Sequence, residues 1–390
     1  SNQYSQVEVT STQLSGNQWI GPAVRLQNGG QDGYLGIYFW NNGSPVLMMF
    51  KRSGGSSWTQ LGNAYSCGAL TAGTQLKLMA VGNTLSFLEN GVERIAVFEP
   101  SFSGGSPGII ANGTGAVSNW SGGTAGFEVH YLSTDVNGVE SYHVISANNG
   151  YGPQVLRILR PRQPAAGVAH NIVFALPVEA GLGTDFGDGL QTLQQLDAQD
   201  QYNLTIVAPS FNFDPWYADS ATDPNIQYES FMATELEPWV AQNLSTTGTE
   251  QRWLLGFSKS GIGGQDLILK HPDLFTLAAS WDFPADMSSY NQFGADSTAG
   301  YGTDANFQSN YRLTSAFLAA HGASFRAENR IWIGGYDLYR TDVSDYATLL
   351  ATEGIADTTE TPALMSHDWY SGWVPQALTA LEEDSISLNN

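Results

Sequence analysis

Cysteine occurs once, at Cys67, so no intrachain disulfide can form. An extracellular protein without disulfides suits a bacterial source better than most others. Cys67 itself reads as a small buried residue of a β-rich segment, far from any His-rich motif. Positive charge is also scarce. Against 37 Asp plus Glu stand 15 Lys plus Arg, a formal charge of -22. So acidic a surface repels phosphate backbones and anionic lipid, and neither nucleic acid nor a membrane is expected as a partner. Long apolar runs are missing too: none approaches the roughly 18 residues that a spanning helix needs. Charged residues of both signs reach only 13%, whereas Gly (43) and aromatics (12%) are plentiful. That balance fits a turn-rich, β-rich extracellular protein, and secretion is expected. The start Ser1-Asn2-Gln3-Tyr4 reads as that of a mature or trimmed chain.

At 390 residues the chain exceeds one ordinary core, and its grammar changes part-way along. Up to about Leu132 it consists of strands and turns. Gln6–Thr10 and Ala23–Gln27 alternate, followed by Tyr34–Trp40, Val46–Phe50, Gln75–Ala80 and Thr84–Leu88. Turn signals at Asn28-Gly29-Gly30, Asn41-Asn42-Gly43, Gly54-Gly55 and Asn90-Gly91 separate them. Short strands with no helical period between them predict an antiparallel β-sandwich over residues 1–134. The polar stretch 135–139 reads as a linker. From 140 to 390 apolar strands alternate with helical patterns, which predicts a mostly parallel sheet flanked by helices. Strands are expected at Leu156–Leu159, Asn171–Leu176, Leu204–Ala208, Arg252–Phe257, Leu277–Trp281 and Arg330–Gly334. Helices are expected at Gly189–Gln199, Tyr228–Asn243, Lys259–Lys270, Thr314–His321 and Val343–Glu353.

The strongest chemical signal is Arg252-Trp253-Leu254-Leu255-Gly256-Phe257-Ser258-Lys259-Ser260-Gly261, an apolar strand running through small-x-Ser-x-small into a helix. A nucleophile elbow needs small neighbours because its Ser sits in a strained turn where strand and helix backbones nearly touch. Ser260 stands where a second Gly is usual, with Gly261 following. The helix N-terminus behind Ser258 favours developing negative charge. Upstream, Asn171–Leu176 ends in Pro177-Val178-Glu179-Ala180-Gly181, the place for a loop that completes an oxyanion hole. Pro177 has no N–H, so the amide of Glu179 is the first candidate and Ala180 the second; the amide of Lys259 is the other donor. Among six histidines, His367 in Ser366-His367-Asp368-Trp369 is placed late enough in the chain to serve as base. Asp282, ending Ala278–Trp281, is the first choice of acid, and Asp337, after Ile331–Tyr336, the alternative. Trp216, Tyr217 and Trp281 are candidates to line a substrate pocket, ahead of Trp369 and Trp373.

Two resemblances bear on these patterns. Gly33-Tyr34-Leu35-Gly36, Trp58–Gly62 and Leu85–Gly91 followed by Pro107-Gly108-Ile109 resemble the laminin-G-like, concanavalin-like jelly rolls, many of which bind glycans or polymers. The later segment resembles the esterase D and feruloyl-esterase-like branch of the α/β-hydrolases. The likeness lies in Leu176–Glu179 with Asp188-Gly189-Leu190, Ala208-Pro209-Ser210, Trp216–Asp219, Gly256–Gly261, Trp281–Pro284 and His367-Asp368-Trp369. It implies an α/β-hydrolase fold and hydrolysis of an ester, small or polymeric, through an acyl-enzyme, with no cofactor and no metal. A polymeric substrate could be a glycan ester or a polyester. A catalytically silent scaffold with a polymer-binding sandwich, and an acyltransferase using the same nucleophile, are the alternatives.

Overall fold

The computed structural model describes residues 1–162, 170–362 and 364–388, which fall into two compact units. Residues 1–132 with 142–153 form the first, and residues 133–141 with 154–390 the second. The stretch 135–139 is a tight turn. The Asp135 carboxylate accepts from the amides of Asn137 and Val139 at 2.8 and 2.9 Å, and the Asp135 amide donates to the Val139 carbonyl.

In the first unit two five-stranded antiparallel sheets share one apolar core. One sheet runs in the order Val117–Gly123, Gln3–Val9, Gln75–Val81, Thr84–Glu89, Val92–Phe98; the other runs Ser57–Ser66, Val46–Ser53, Asp32–Phe39, Trp19–Gln27, Ser106–Asn112. Alternation decides which side chains turn inward. Val7, Val9, Val24, Tyr34, Tyr38, Leu47, Met49, Leu76, Leu78 and Phe87 meet between the sheets. Gly36 allows the close approach, since a Cβ there would lie 2.7 Å from the Phe87 ring. Cys67 is half-buried rather than fully enclosed, and burial pushes its thiol up to about 11, where it is inert at neutral pH.

From Gln154 on, the sheet of the second unit runs Gln154–Leu159, Leu204–Ala208, Asn171–Ala175, Arg252–Phe257, Leu277–Trp281, Ile331–Gly334, Thr358–Glu360. The first of these strands is antiparallel to its neighbour and the others pair in parallel. Ile172, Val173, Phe174, Leu254, Leu255, Ala278 and Ile333 are fully buried, as strands covered on both faces require. Helices Gly189–Gln195, Ser258–Lys270, Ser315–His321, Arg340–Glu353 and Trp373–Leu388 surround the sheet. The helical pattern at 228–243 is one run with a wide turn at Phe231–Leu236. Two short helices, Ala295–Tyr301 and Asp304–Asn310, escape the sequence pattern. Among the described residues no helix is long and apolar enough to cross a membrane.

Candidate active site

Strand Arg252–Phe257 delivers Ser258 to the carboxyl edge of the sheet, where helix Ser258–Lys270 begins at once. The turn is steep enough to hold Ser258 at φ 52°, a left-handed value that costs a side-chain-bearing residue energy. Its neighbours explain how the turn closes. A Cβ on Gly256 would lie 2.6 Å from the Ser260 carbonyl oxygen, and one on Gly261 would lie 2.7 Å from Phe283 Cβ. Ser260 is fully buried; its Oγ accepts from the Phe257 amide at 3.1 Å and donates to the Phe257 carbonyl at 2.9 Å. A hydroxyl thus ties the elbow where a glycine is usual.

His367 lies between strand Thr358–Glu360 and helix Trp373–Leu388. Its Nδ1 is 2.6 Å from Oδ2 of Asp282. Asp282 follows strand Leu277–Trp281, is fully buried and also has a positive φ, 43°. Its Oδ1 accepts from the Tyr339 amide at 2.7 Å and its Oδ2 from the Leu338 amide at 3.2 Å. An ionised carboxylate can only accept, so Nδ1 is the donor in this contact, and in the neutral imidazole Nε2 is then the nitrogen with the lone pair. The imidazole is held edge-to-face against Phe257, centroids 5.0 Å apart, and against Phe186 at 5.6 Å. Ser258 and His367 line one cavity of about 320 Å³. Asp337 is exposed, and the backbone just beyond it holds Asp282.

Loop Pro177–Gly181 leaves its strand beside the elbow, and the segment after strand Leu204–Ala208 grips it at three points. The Gly181 amide donates to the Phe211 carbonyl at 2.6 Å, the Ala180 amide to Asp214 Oδ1 at 3.1 Å, and the Tyr217 hydroxyl to the Pro177 carbonyl at 2.8 Å. Ala180 is therefore spent as a donor. The Glu179 and Lys259 amides have no partner among the described residues, and Lys259 is in the first turn of its helix, whose N–H groups point outward. Side chains of the same two residues meet as well: Lys259 Nζ is 3.0 Å from Glu179 Oε2 and 2.7 Å from Asp214 Oδ2. Burial pushes the Glu179 carboxyl above its ordinary range, and Lys259 only partly offsets this. At Asp214 burial pushes the same way, but the hydrogen bond and charge of Lys259 and the Ala180 amide outweigh it and hold the carboxyl low. Burial and the neighbouring Asp214 raise Asp296, which lines the cavity together with Glu179.

Two aromatic residues expected to line a pocket do not. Tyr217 is fully buried and anchors the loop through its hydroxyl. Trp281 is fully buried against Phe257, rings stacked at 5.6 Å, and its Nε1 donates to the Asp368 carbonyl. Trp281 shares one apolar core with Trp369 and Trp373, whereas Tyr217 packs separately, edge-to-face against Phe211. Trp216 does line the cavity. Sequence reasoning missed Phe186, Pro284, Phe293, Asp296, Leu338 and Tyr339, which complete the wall, and Asp214 behind it. Two of them carried a signal: Pro284 ends the Trp281–Pro284 motif, and Asp214 is an acidic residue two positions before Trp216. Among the described residues no group of three or more His, Cys, Asp or Glu is arranged to hold a metal ion.

Residues 188–325 match the family described as "Putative esterase". Among solved structures, an S-formylglutathione hydrolase from Agrobacterium tumefaciens is 15% identical, with TM-score 0.51, over 65% of this chain and 99% of that one. A ferulic acid esterase is 14% identical, with TM-score 0.49, over 64% and 98%. For the first unit, the carbohydrate binding module CBM66 from Bacillus subtilis is 16% identical, with TM-score 0.27, over 31% and 74%. No curated protein matches the chain. Fold and family match together define the second unit as an esterase-like α/β-hydrolase. The chain is a carboxylic ester hydrolase with a β-sandwich ahead of its hydrolase unit.

Proposed function

We propose that this is a secreted serine esterase working through an acyl-enzyme on Ser258, and that its substrates are short acyl esters of polysaccharides or other polymers. Ser258 Oγ attacks the ester carbonyl while His367 Nε2 takes its proton. Asp282 fixes the imidazole and stabilises the imidazolium. The carbonyl oxygen, now negative, accepts from the Glu179 and Lys259 amides. His367 returns the proton to the leaving alcohol, and water then repeats the sequence to release the acid. One observation carries the reading: the buried 2.6 Å contact between Asp282 and His367 Nδ1 serves an imidazole that shares its cavity with Ser258.

A cavity of about 320 Å³ walled by Trp216, Phe186, Phe293 and Leu338 suits an acetyl, short-chain or single-ring acyl group. Glu179, Asp214 and Asp296 against the one Lys259 ammonium disfavour acyl groups carrying a free carboxylate. The sandwich supports a polymeric substrate. On one face of its second sheet Trp19, Phe39, Phe50 and Trp58 surround an apolar cavity of about 280 Å³. Hydrolysis of p-nitrophenyl acetate and labelling by a fluorophosphonate test the mechanism. Ser258→Ala is expected to abolish the label and to lower kcat by at least about 10³-fold. Equal rates for the variant and the wild type would end the proposal.

A further inference from the structure

Asp214 occupies a position that the catalytic steps leave unused. It sits half-buried in the segment following strand Leu204–Ala208, and its two oxygens accept from two different segments, the loop after Pro177 and the elbow helix. Oδ1 accepts from the Ala180 amide at 3.1 Å, next to the Glu179 amide on the loop. Oδ2 accepts from Lys259 Nζ at 2.7 Å, on the residue whose own amide is the second donor. Lys259 Nζ returns to the loop through Glu179 Oε2 at 3.0 Å, closing a ring of contacts from loop to elbow and back. Among the described residues, Asp296 and the His367 imidazole line the cavity together with Glu179 and Lys259.

We propose that Asp214 is a positioning residue that sets the spacing of the two oxyanion donors, the amides of Glu179 and Lys259, by bracing the loop and the elbow helix at once. The inference rests on the esterase reading above. Its physical basis is geometric. Loop Pro177–Gly181 is also held by the Gly181–Phe211 bridge, by the Tyr217 hydroxyl on the Pro177 carbonyl and by the Gly183 amide on the Ala180 carbonyl, but none of these bonds falls on the peptide that joins Glu179 to Ala180. Fixing the Ala180 amide holds that peptide, next to the Glu179 amide. Using the same carboxylate to hold Lys259 ties the loop to the nucleophile's own helix. Hydrogen bonds to an ionised carboxylate suit this role because they are stronger than neutral ones. A donor out of place stabilises the ground-state carbonyl about as well as before but the tetrahedral oxyanion less well, so the loss falls on the transition state.

The test compares Asp214→Ala and Asp214→Asn with wild type and Ser258→Ala on p-nitrophenyl acetate. A trifluoromethyl ketone serves as probe, because its carbonyl carbon bonds Ser258 Oγ and leaves a tetrahedral oxyanion. Outright removal of an oxyanion donor costs about 10²–10³-fold, so a displaced donor is expected to cost about 10–10²-fold in kcat for Asp214→Ala, with KM within about twofold. The inhibition constant for the ketone should weaken by the same factor as kcat. Asp214→Asn keeps an acceptor for the Ala180 amide and is expected to lose less in both. The proposal is overturned if kcat of Asp214→Ala stays within twofold of wild type, or if kcat falls while ketone binding does not. Should Asp214→Ala fail to fold, Asp214→Asn decides: parallel losses in kcat and ketone affinity support the proposal, and a lower kcat with unchanged affinity refutes it. If Ser258→Ala is as active as wild type, the esterase reading itself fails; if only the Asp214 variants behave as wild type, this inference alone fails.

Discussion

Replacing Asp282 with Asn tests the acid assignment through hydrogen-bond bookkeeping. The wild-type carboxylate takes three donors in a fully buried site: Tyr339 N at 2.7 Å on Oδ1, and Leu338 N at 3.2 Å with His367 Nδ1 at 2.6 Å on Oδ2. Asparagine offers one oxygen and one NH2. With its oxygen in the Oδ2 position, the NH2 faces the Tyr339 N–H, and a buried donor left unsatisfied costs about 1–3 kcal/mol. With its oxygen in the Oδ1 position, the NH2 faces His367 Nδ1, which must then accept. The proton moves to Nε2, and the imidazole can no longer take one from Ser258. Either arrangement also removes the charge that stabilises the imidazolium. A kcat lower by about 10³–10⁴-fold is expected. At about 1.36 kcal/mol per decade, that is about 4–5.5 kcal/mol of transition-state stabilisation. Stopped or steady-state hydrolysis of p-nitrophenyl acetate measures it, with KM within a few-fold of wild type. Asp337→Asn serves as control; its side chain is exposed, and a rate within twofold of wild type is expected. The reasoning fails if Asp282→Asn keeps more than a tenth of the wild-type kcat, or if Asp337→Asn is the variant that loses it.

Asp266, on the elbow helix, is 1% exposed and both its carboxylate oxygens lack a partner among the described residues. Burial pushes it well above the ordinary aspartate range, with the Lys270 charge opposing and Glu229 adding, so the folded chain keeps a proton that the unfolded chain has lost. Above about pH 3.9 the folded state therefore binds more protons than the unfolded state, and stability falls as pH rises through that window. Asp266→Asn removes the penalty: its gain in melting temperature over wild type should be small near pH 4 and larger at pH 8, and a gain independent of pH would contradict the sign. On the sandwich, Trp58 stands edge-on to Trp19 at 5.6 Å and to Phe50 at 5.8 Å, with 39% of its surface exposed. Trp58→Ala in the full chain should reduce retention on polymer (xylan, cellulose, alginate or polyester film) several-fold without changing kcat on p-nitrophenyl acetate; equal retention on every polymer speaks against a binding role for that face.

Much of this architecture was legible because period-two alternation and continuous apolar runs report burial directly. Leu204–Ala208, Arg252–Phe257 and Leu277–Trp281 have the same limits in sequence and structure. The elbow was legible for a related reason, since only small residues fit where Gly256 meets Ser260. The wall of the cavity was not. Phe293 and Asp296 come from the stretch 288–310, whose Ser, Asn, Gly and Asp content reads as loop, although two seven-residue helices form there under tertiary contacts. Trp281 misled for a different reason. Its register partner on the neighbouring strand is Phe257, and the two rings stack on one face of the sheet, a cross-strand pairing that no single-segment pattern contains. Asp282 and Asp337 could not be separated in sequence because both follow parallel strands at the same sheet edge. What separates them is the chain after Ile331–Gly334, which folds back so that its amides at 338 and 339 aim at Asp282.

That fold-back has a consequence for strain. Ser258 and Asp282 each hold a positive φ, and such a conformation costs on the order of 1–3 kcal/mol per residue unless the surroundings impose it. Here they do, in series along the sheet edge. The Ser258 amide donates to the Asp282 carbonyl at 3.2 Å, and the Asp282 amide donates to the Gly334 carbonyl at 2.8 Å. Each strained residue is thereby fixed by the backbone of the next strand's end, and the two turns brace each other. The same linkage places nucleophile, acid and the amides that hold the acid beyond the ends of three successive parallel strands, whose last residues Phe257, Trp281 and Gly334 are in register. A change that relaxes one of these turns should therefore disturb the other, so that the nucleophile and the carboxylate behind the base are coupled through backbone hydrogen bonds as well as through the imidazole.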